Sequence, residues 1–346
     1  MHRAMGATIG EWFGCALPSD FGDWREEYRF ARESVALLDK NYRAYLAFTG
    51  PDRVRYLNAI LTNNIKDLKT GEGVPSLFLN PQGRIQAEIE TYAEPERLFC
   101  VSYAMIREKL MPWLDHYIIM DDVTLIDESS RYGTLAIEGP HSGAVVKHLC
   151  GFELSSLNEL SWKESHVGSI PCRISQRLPG GVPSAEFLCE GSHLAAFWRV
   201  LQDVTKSHGG GPAGYTALNA LRLEAGIPWF GYDFGEKQIP HEAGLEKSHI
   251  SYTKGCYTGQ EIVERVRSRG QVNRVRSLFK LLAPNLPEAE TPILSDGKEV
   301  GHITRAAESP FFQSVITMGY IRRELSLPGT EVLIRDKAAT VISPRN

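Results

Sequence analysis

No apolar run in the sequence is long enough to span a bilayer, and there is no Cys-x-x-Cys or His-Glu-x-x-His pairing. The six cysteines, at 15, 100, 150, 172, 189 and 256, are spread along 346 residues. That dispersion argues against a disulfide framework and against a structural zinc site, so no metal is expected. Charge of either sign is also nearly absent in net terms: 38 Lys and Arg stand against 42 Asp and Glu, giving −4. Bulk nucleic-acid binding is thereby disfavoured, although a local basic patch is not. The first residues carry Glu11, Asp20, Asp23 and several glycines without the continuous apolar core of a signal peptide. A cytoplasmic protein without membrane or nucleic-acid partners is the expectation.

The length calls for two or three domains. Trp24 to Leu38 reads as an amphipathic helix, with Tyr28, Ala31, Val35 and Leu38 on one side. A strand at Ala44–Phe48, then Thr49-Gly50-Pro51 and a helix over about 52–61, recur as Leu135-Ala136-Ile137-Glu138-Gly139-Pro140 and a helix over about 141–149. Downstream, each copy continues with a hairpin and a helix. In the first copy these are Leu77–Asn80, a Pro81-Gln82-Gly83 turn, Arg84–Tyr92, Leu98–Ser102 and a helix from Ala104. In the second they are Cys172–Arg177, a Pro179-Gly180-Gly181 turn, Ala185–Cys189 and a helix from Ser192 to about Ser207. An internal duplication of an α+β unit is predicted.

Gly209-Gly210-Gly211-Pro212-Ala213-Gly214 matches the glycine pattern of a dinucleotide loop, but a helix rather than a strand precedes it. The nucleotide reading is rejected on that ground. A helix over Tyr215–Ala225 leads into a segment dense in glycine and aromatics around Trp229 and Tyr232. From Arg274 short alternating strands predict a small β-barrel, with Pro284 to Pro292 as its Pro-rich loop. The expected division is 1–130 with 225–273, then 131–224, then 274–346.

Lys254-Gly255-Cys256-Tyr257-Thr258-Gly259-Gln260-Glu261 is the most unusual stretch. Gly259 or Thr258 can cap the helix that follows, which places Cys256 in a turn before a helix N-terminus with Lys254 beside it. Both neighbours favour the thiolate, so a reactive Cys256 is one reading; an inert buried cysteine is the other. Glu224, with Trp229, Phe230 and Tyr232 close by in sequence, offers a carboxylate for the N–H edge of a pterin and aromatic faces for its ring. An ion pair with Arg222 and a plain aromatic core is the alternative.

Lys254 to Glu261 resembles the K-G-C-aromatic-x-G-Q-E signature of YgfZ-type folate-binding proteins, relatives of the glycine cleavage T-protein (aminomethyltransferase) that act in iron–sulfur cluster assembly or repair. Leu221-Arg222-Leu223-Glu224-Ala225-Gly226 with Gly231-Tyr232-Asp233, Pro240-His241-Glu242-Ala243-Gly244-Leu245 and Val300-Gly301-His302-Ile303-Thr304 resemble T-protein segments. The resemblance implies three domains around a central channel that holds tetrahydrofolate, with the 1–130 and 225–273 unit contributing the folate site. Glu224, Tyr232, Trp229, Glu88 and Arg265 are the implied folate contacts, and Cys256 with Lys254 the implied reactive pair. Iron–sulfur client or assembly proteins are the implied partners, and a folate-dependent aminomethyl or demethylating transferase is the alternative activity. One departure stands out. The T-protein Gly-Gly-x-x-Asp-Asp phrase reads Gly83-Arg84-Ile85-Gln86-Ala87-Glu88 here, so one of two carboxylates is missing. Arg265, Arg267, Arg269, Arg274 and Arg276 form a basic cluster suited either to the carboxylates of a folate tail or to solvent.

Overall fold

The computed structural model describes residues 1–179, 182–270, 272–283 and 285–345. Gly180 and Gly181 of the expected turn, the Arg269 side chain, Pro284 and Asn346 lie outside the described residues. The chain begins with a hairpin, β1 (Thr8–Trp12) and β2 (Cys15–Asp20), that short polar strands had hidden from periodicity. Helix α1 (Trp24–Glu33) is N-capped by Asp23, whose carboxylate accepts from the Arg25 amide at 2.9 Å. It stops at Ser34 rather than running to Leu38. Ala36, Leu37 and Leu38 are all buried, and they form β3 (Ala36–Asp39) paired with β9 (Tyr132–Glu138). A strand buried on both faces has no period of its own, so the helical pattern upstream ran on into it.

The first sheet holds β4 (Arg43–Thr49), β5 (Gly73–Leu79), β6 (Ile85–Ala93), β7 (Leu98–Tyr103) and β8 (Thr124–Asp127) in the order β5-β6-β7-β4-β8. Helices α2 (Arg53–Ile60) and α3 (Arg107–His116) lie within its run of chain. The second sheet holds β9, then β10 (Trp162–Val167), β11 (Ile170–Arg177) and β12 (Ser184–Glu190), with α4 (Ser142–Cys150) and α5 (Leu194–Ser207). Its order is β10-β11-β12-β9-β3, extended by β13 (Gly211–Pro212), which runs parallel to β3. The strand order β5-β6-β7-β4 of the first sheet has its counterpart in β10-β11-β12-β9 of the second. β3, which precedes residue 130, belongs to the second sheet.

Strand alternation gives each sheet two unlike faces. Leu46, Phe48, Leu77, Ala87 and Ile89 pack with Leu57 of α2 and with Leu110 and Leu114 of α3. Arg43, Tyr45, Glu88, Glu90, Tyr92 and Tyr103 occupy the opposite face, toward the second sheet. The two sheets meet there, where the Tyr45 and Thr134 hydroxyls lie 2.7 Å apart.

Helix α6 (Tyr215–Glu224) joins these sheets to the rest; all its residues but Thr216 are buried, between α1 and the barrel. The short α7 (Pro240–Ala243) and α8 (Gln260–Arg269) follow. The barrel comprises β14 (Arg274–Leu281), β15 (Pro292–Ser295), β16 (Lys298–Ser309), β17 (Ser314–Arg322), β18 (Glu331–Ile334) and β19 (Lys337–Ile342). It closes as β14-β17-β16-β15-β18-β19, which leaves no unpaired edge. The α+β class and the terminal barrel are as expected. The glycine run serves close packing: a Cβ on Gly210 would stand 1.8 Å from the Val35 carbonyl oxygen. Among the described residues no helix is long and apolar enough to cross a membrane.

Candidate functional site

Because both sheets turn a polar face inward, a cavity of about 540 Å³ lies between them. Its walls come from β6, β7, β11 and β12, with Trp229 and the Ser248-His249 pair closing it from the connecting segment. Among the described residues no barrel side chain lines it; the barrel packs behind α6 instead. Three cations (Lys40, Arg43, Arg177) face five carboxylates (Glu88, Glu90, Glu138, Glu159, Glu186) in the lining. Two of the cations are matched in place. Arg43 grips Glu186 with two bonds of 2.6 and 2.7 Å, and Arg177 donates to Glu90. Burial works against the Glu186 carboxylate, but Arg43 and Arg177 hold its pKa well below the ordinary range.

Glu88 is bonded to a histidine and a tyrosine rather than to a guanidinium. Its Oε1 lies 2.9 Å from His249 Nε2, and its Oε2 accepts from the Tyr103 hydroxyl at 2.9 Å. Burial alone would raise this carboxyl; the His249 bond and charge, Tyr103 and the field of Arg177 bring it below its usual value. His249 Nδ1 is in turn 2.8 Å from Ser248 Oγ. The segment is pinned by its backbone, since Thr62 Oγ1 donates to the His249 carbonyl at 2.6 Å and Asn63 donates to that of Ser248 at 3.2 Å.

The residues expected to hold folate divide into three groups. Glu88 and Trp229 line the cavity, and Arg222 stacks on the Trp229 ring at 4.6 Å. Glu224 and Tyr232 are not among its lining residues. Glu224 is fully buried at the end of α6, accepting from Tyr28 and Arg32 at 2.7 Å and from Ser309 at 2.6 Å, so it clamps α1 to the barrel. Tyr232 accepts from the Phe13 amide at 2.8 Å within an aromatic cluster behind Trp229. Arg265 is exposed on α8, and Arg267 pairs with Glu264 of its own helix. Arg276 is bound to the carbonyls of Ala243 and Gly226, so Arg265, Arg267 and Arg276 do not converge on one ligand.

The cysteine loop is docked on the first sheet. Gly259 caps α8 with φ +80°, and a Cβ there would stand 2.7 Å from the Asn80 carbonyl oxygen. Opposite it, Gly83 leaves room for Ile262, which a Cβ would meet at 2.9 Å. The Lys254 ammonium donates to the carbonyls of Asn58 and Leu61 at the end of α2, and burial pulls its pKa down to about 8. Among the described residues no hydrogen bond joins it to Cys256, which is exposed.

The GCVT N-terminal domain family matches residues 1–250, and the glycine cleavage T-protein C-terminal barrel domain matches 274–344. The chain belongs to the glycine cleavage T-protein family. It is similar to the aminomethyltransferases of Streptomyces avermitilis (26% identical, 95% of this chain and 90% of that protein), Moorella thermoacetica (28%, 96% and 90%) and Halothermothrix orenii (27%, 98% and 95%). The fold matches the glycine cleavage system aminomethyltransferase T of Bartonella henselae with a TM-score of 0.87 and 22% identity, over 99% of this chain and 94% of that one.

Within this T-protein fold the missing carboxylate has a simple geometry. Ala87 points into the apolar layer under α2 and α3, whereas Glu88, one residue on, points into the cavity. Sequence reading singled out Glu88 but not Ser248, His249, Tyr103 or the Arg43–Glu186 and Arg177–Glu90 pairs. The signal for Glu88 was the Gly83–Glu88 phrase; the alternation of β6, which puts Glu88 and Glu90 on one strand face, accounts for its direction.

Proposed function

We propose that the cavity binds tetrahydrofolate and that the protein transfers a one-carbon unit of the aminomethyl type to or from it. The observation that carries this reading is Glu88, a carboxylate held in the same cavity as the aromatic face of Trp229. About 540 Å³ is within the range of sites that enclose a drug-sized ligand. The lining supplies what the group needs, an acceptor for ring N–H groups and aromatic contact, so the residues present fit a folate. Relatives named aminomethyltransferase over nearly their whole length support the reaction class. Glu88, bonded to His249, supports the acid–base step in this reading. The test is turnover of an aminomethyl-lipoyl carrier protein, or of a methylated amine, with tetrahydrofolate. Product from the wild type, and a loss of about a hundredfold or more in Glu88→Gln, is the expected result. No product with either donor removes the transferase reading.

The exposed Cys256 favours a second reading: a folate-binding accessory protein of iron–sulfur cluster assembly or repair, working with client or assembly proteins. Under it, Cys256→Ala keeps folate affinity while cluster-enzyme activity falls in a deletion strain. Full rescue by that variant removes this reading.

A further inference from the structure

We propose that Ser248, His249 and Glu88 form a proton relay in the cavity wall, with His249 as the group that stores the proton. The inference rests on the folate reading for its substrate, an amine nitrogen in the cavity, but its geometry stands independently. His249 Nε2 faces Glu88 Oε1 at 2.9 Å, and Nδ1 faces Ser248 Oγ at 2.8 Å. The Ser248 hydroxyl has a second partner, the Leu245 carbonyl oxygen at 3.5 Å. That arrangement satisfies the imidazole in two states without moving a heavy atom.

In the neutral state Nε2–H donates to Glu88 and the Ser248 hydroxyl donates to Nδ1. In the charged state Nδ1–H donates to Ser248 Oγ, whose own proton turns to the Leu245 carbonyl. Ser248 and His249 both line the cavity. A protonated amine there loses one proton to Ser248 Oγ as the hydroxyl proton passes to Nδ1. One N–H bond breaks on the amine and one forms on His249, and the Glu88–His249 pair goes from net −1 to neutral. The Glu88 carboxylate, held on its other oxygen by Tyr103, stabilises the imidazolium so formed. The other charges in the cavity wall are Arg177 and Glu90 from the two sheets, paired with each other, the matched Arg43–Glu186 couple, and Lys40, Glu138 and Glu159.

Two measurements on the full chain test this. First, the His249 imidazole is titrated by NMR in the wild type, Glu88→Gln and Ser248→Ala. The relay predicts that the midpoint falls by at least one pH unit in Glu88→Gln, while Ser248→Ala keeps the fold. An unmoved midpoint in Glu88→Gln overturns the relay. Second, calorimetry of tetrahydrofolate binding in buffers of different ionisation enthalpy counts protons. Proton uptake or release in the wild type that disappears in His249→Gln and Ser248→Ala supports the relay, and the same count in all three overturns it. No tetrahydrofolate binding overturns the folate reading alone, and the NMR midpoint then decides the relay.

Discussion

Lys254 donates to the carbonyl of Leu61, the C-cap of α2. The lysine of the cysteine motif thus acts as a buried peg that ties the loop to the helix layer of the first sheet. Because burial lowers its pKa from 10.5 to about 8, the native state holds fewer protons than the unfolded chain between those two values. Stability contributed at this site therefore rises with pH across that window. Lys254→Met should abolish that rise, read as the difference between denaturant midpoints of the two proteins at pH 7.5 and pH 10. Parallel pH dependence in both would contradict the assignment.

Cys256 is the exposed thiol, whereas Cys100, Cys172 and Cys189 are buried and burial pushes each of those three up to about 12. Brief alkylation of the native protein should label Cys256 first, as mapped by mass spectrometry. Prior labelling of any of those three would place the loop wrongly.

Glu186 lies buried beneath the bidentate grip of Arg43. Glu186→Gln leaves that guanidinium uncompensated and should cost about 3–5 kcal/mol at pH 7. The folded carboxyl is held at about 2, so its stabilisation is full above the unfolded value of 4.5 and declines progressively as pH falls from there toward about 2. Chemical denaturation of both proteins at pH 7 and pH 3 should show the gap narrowing; a constant gap would count against the charge argument.

Gly259→Ala forces a side chain onto φ +80° and a Cβ to 2.7 Å from the Asn80 oxygen. A loss of about 1–3 kcal/mol is expected, with local opening of α8 from the β5–β6 turn. Hydrogen exchange of the Gln260–Val266 amides reports it, and unchanged protection would refute the docking role of this glycine.

The α+β class and the barrel were legible because they rest on local patterns, repeated strand-turn-helix phrases and alternating short strands, and Glu88 was legible through the Gly83–Glu88 phrase. The end of α1 was not legible, because the strand after it is buried on both faces. The position of Glu224 was equally hidden. Its partners, Tyr28, Arg32 and Ser309, are 85 to 196 residues away, and no spacing rule encodes them. His249 was missed because a lone histidine has no pattern; only the docking of its segment on Thr62 and Asn63, which sets it beside Glu88, gives it a chemical partner.

The most direct test of the central claim is an anaerobic titration with tetrahydrofolate, followed by Trp fluorescence and repeated with Trp229→Leu and Glu88→Gln. Saturable binding by the wild type, weakened about tenfold or more in both variants, is the predicted result. Absence of saturable binding, or wild-type affinity in both variants, would contradict a folate site between the two sheets.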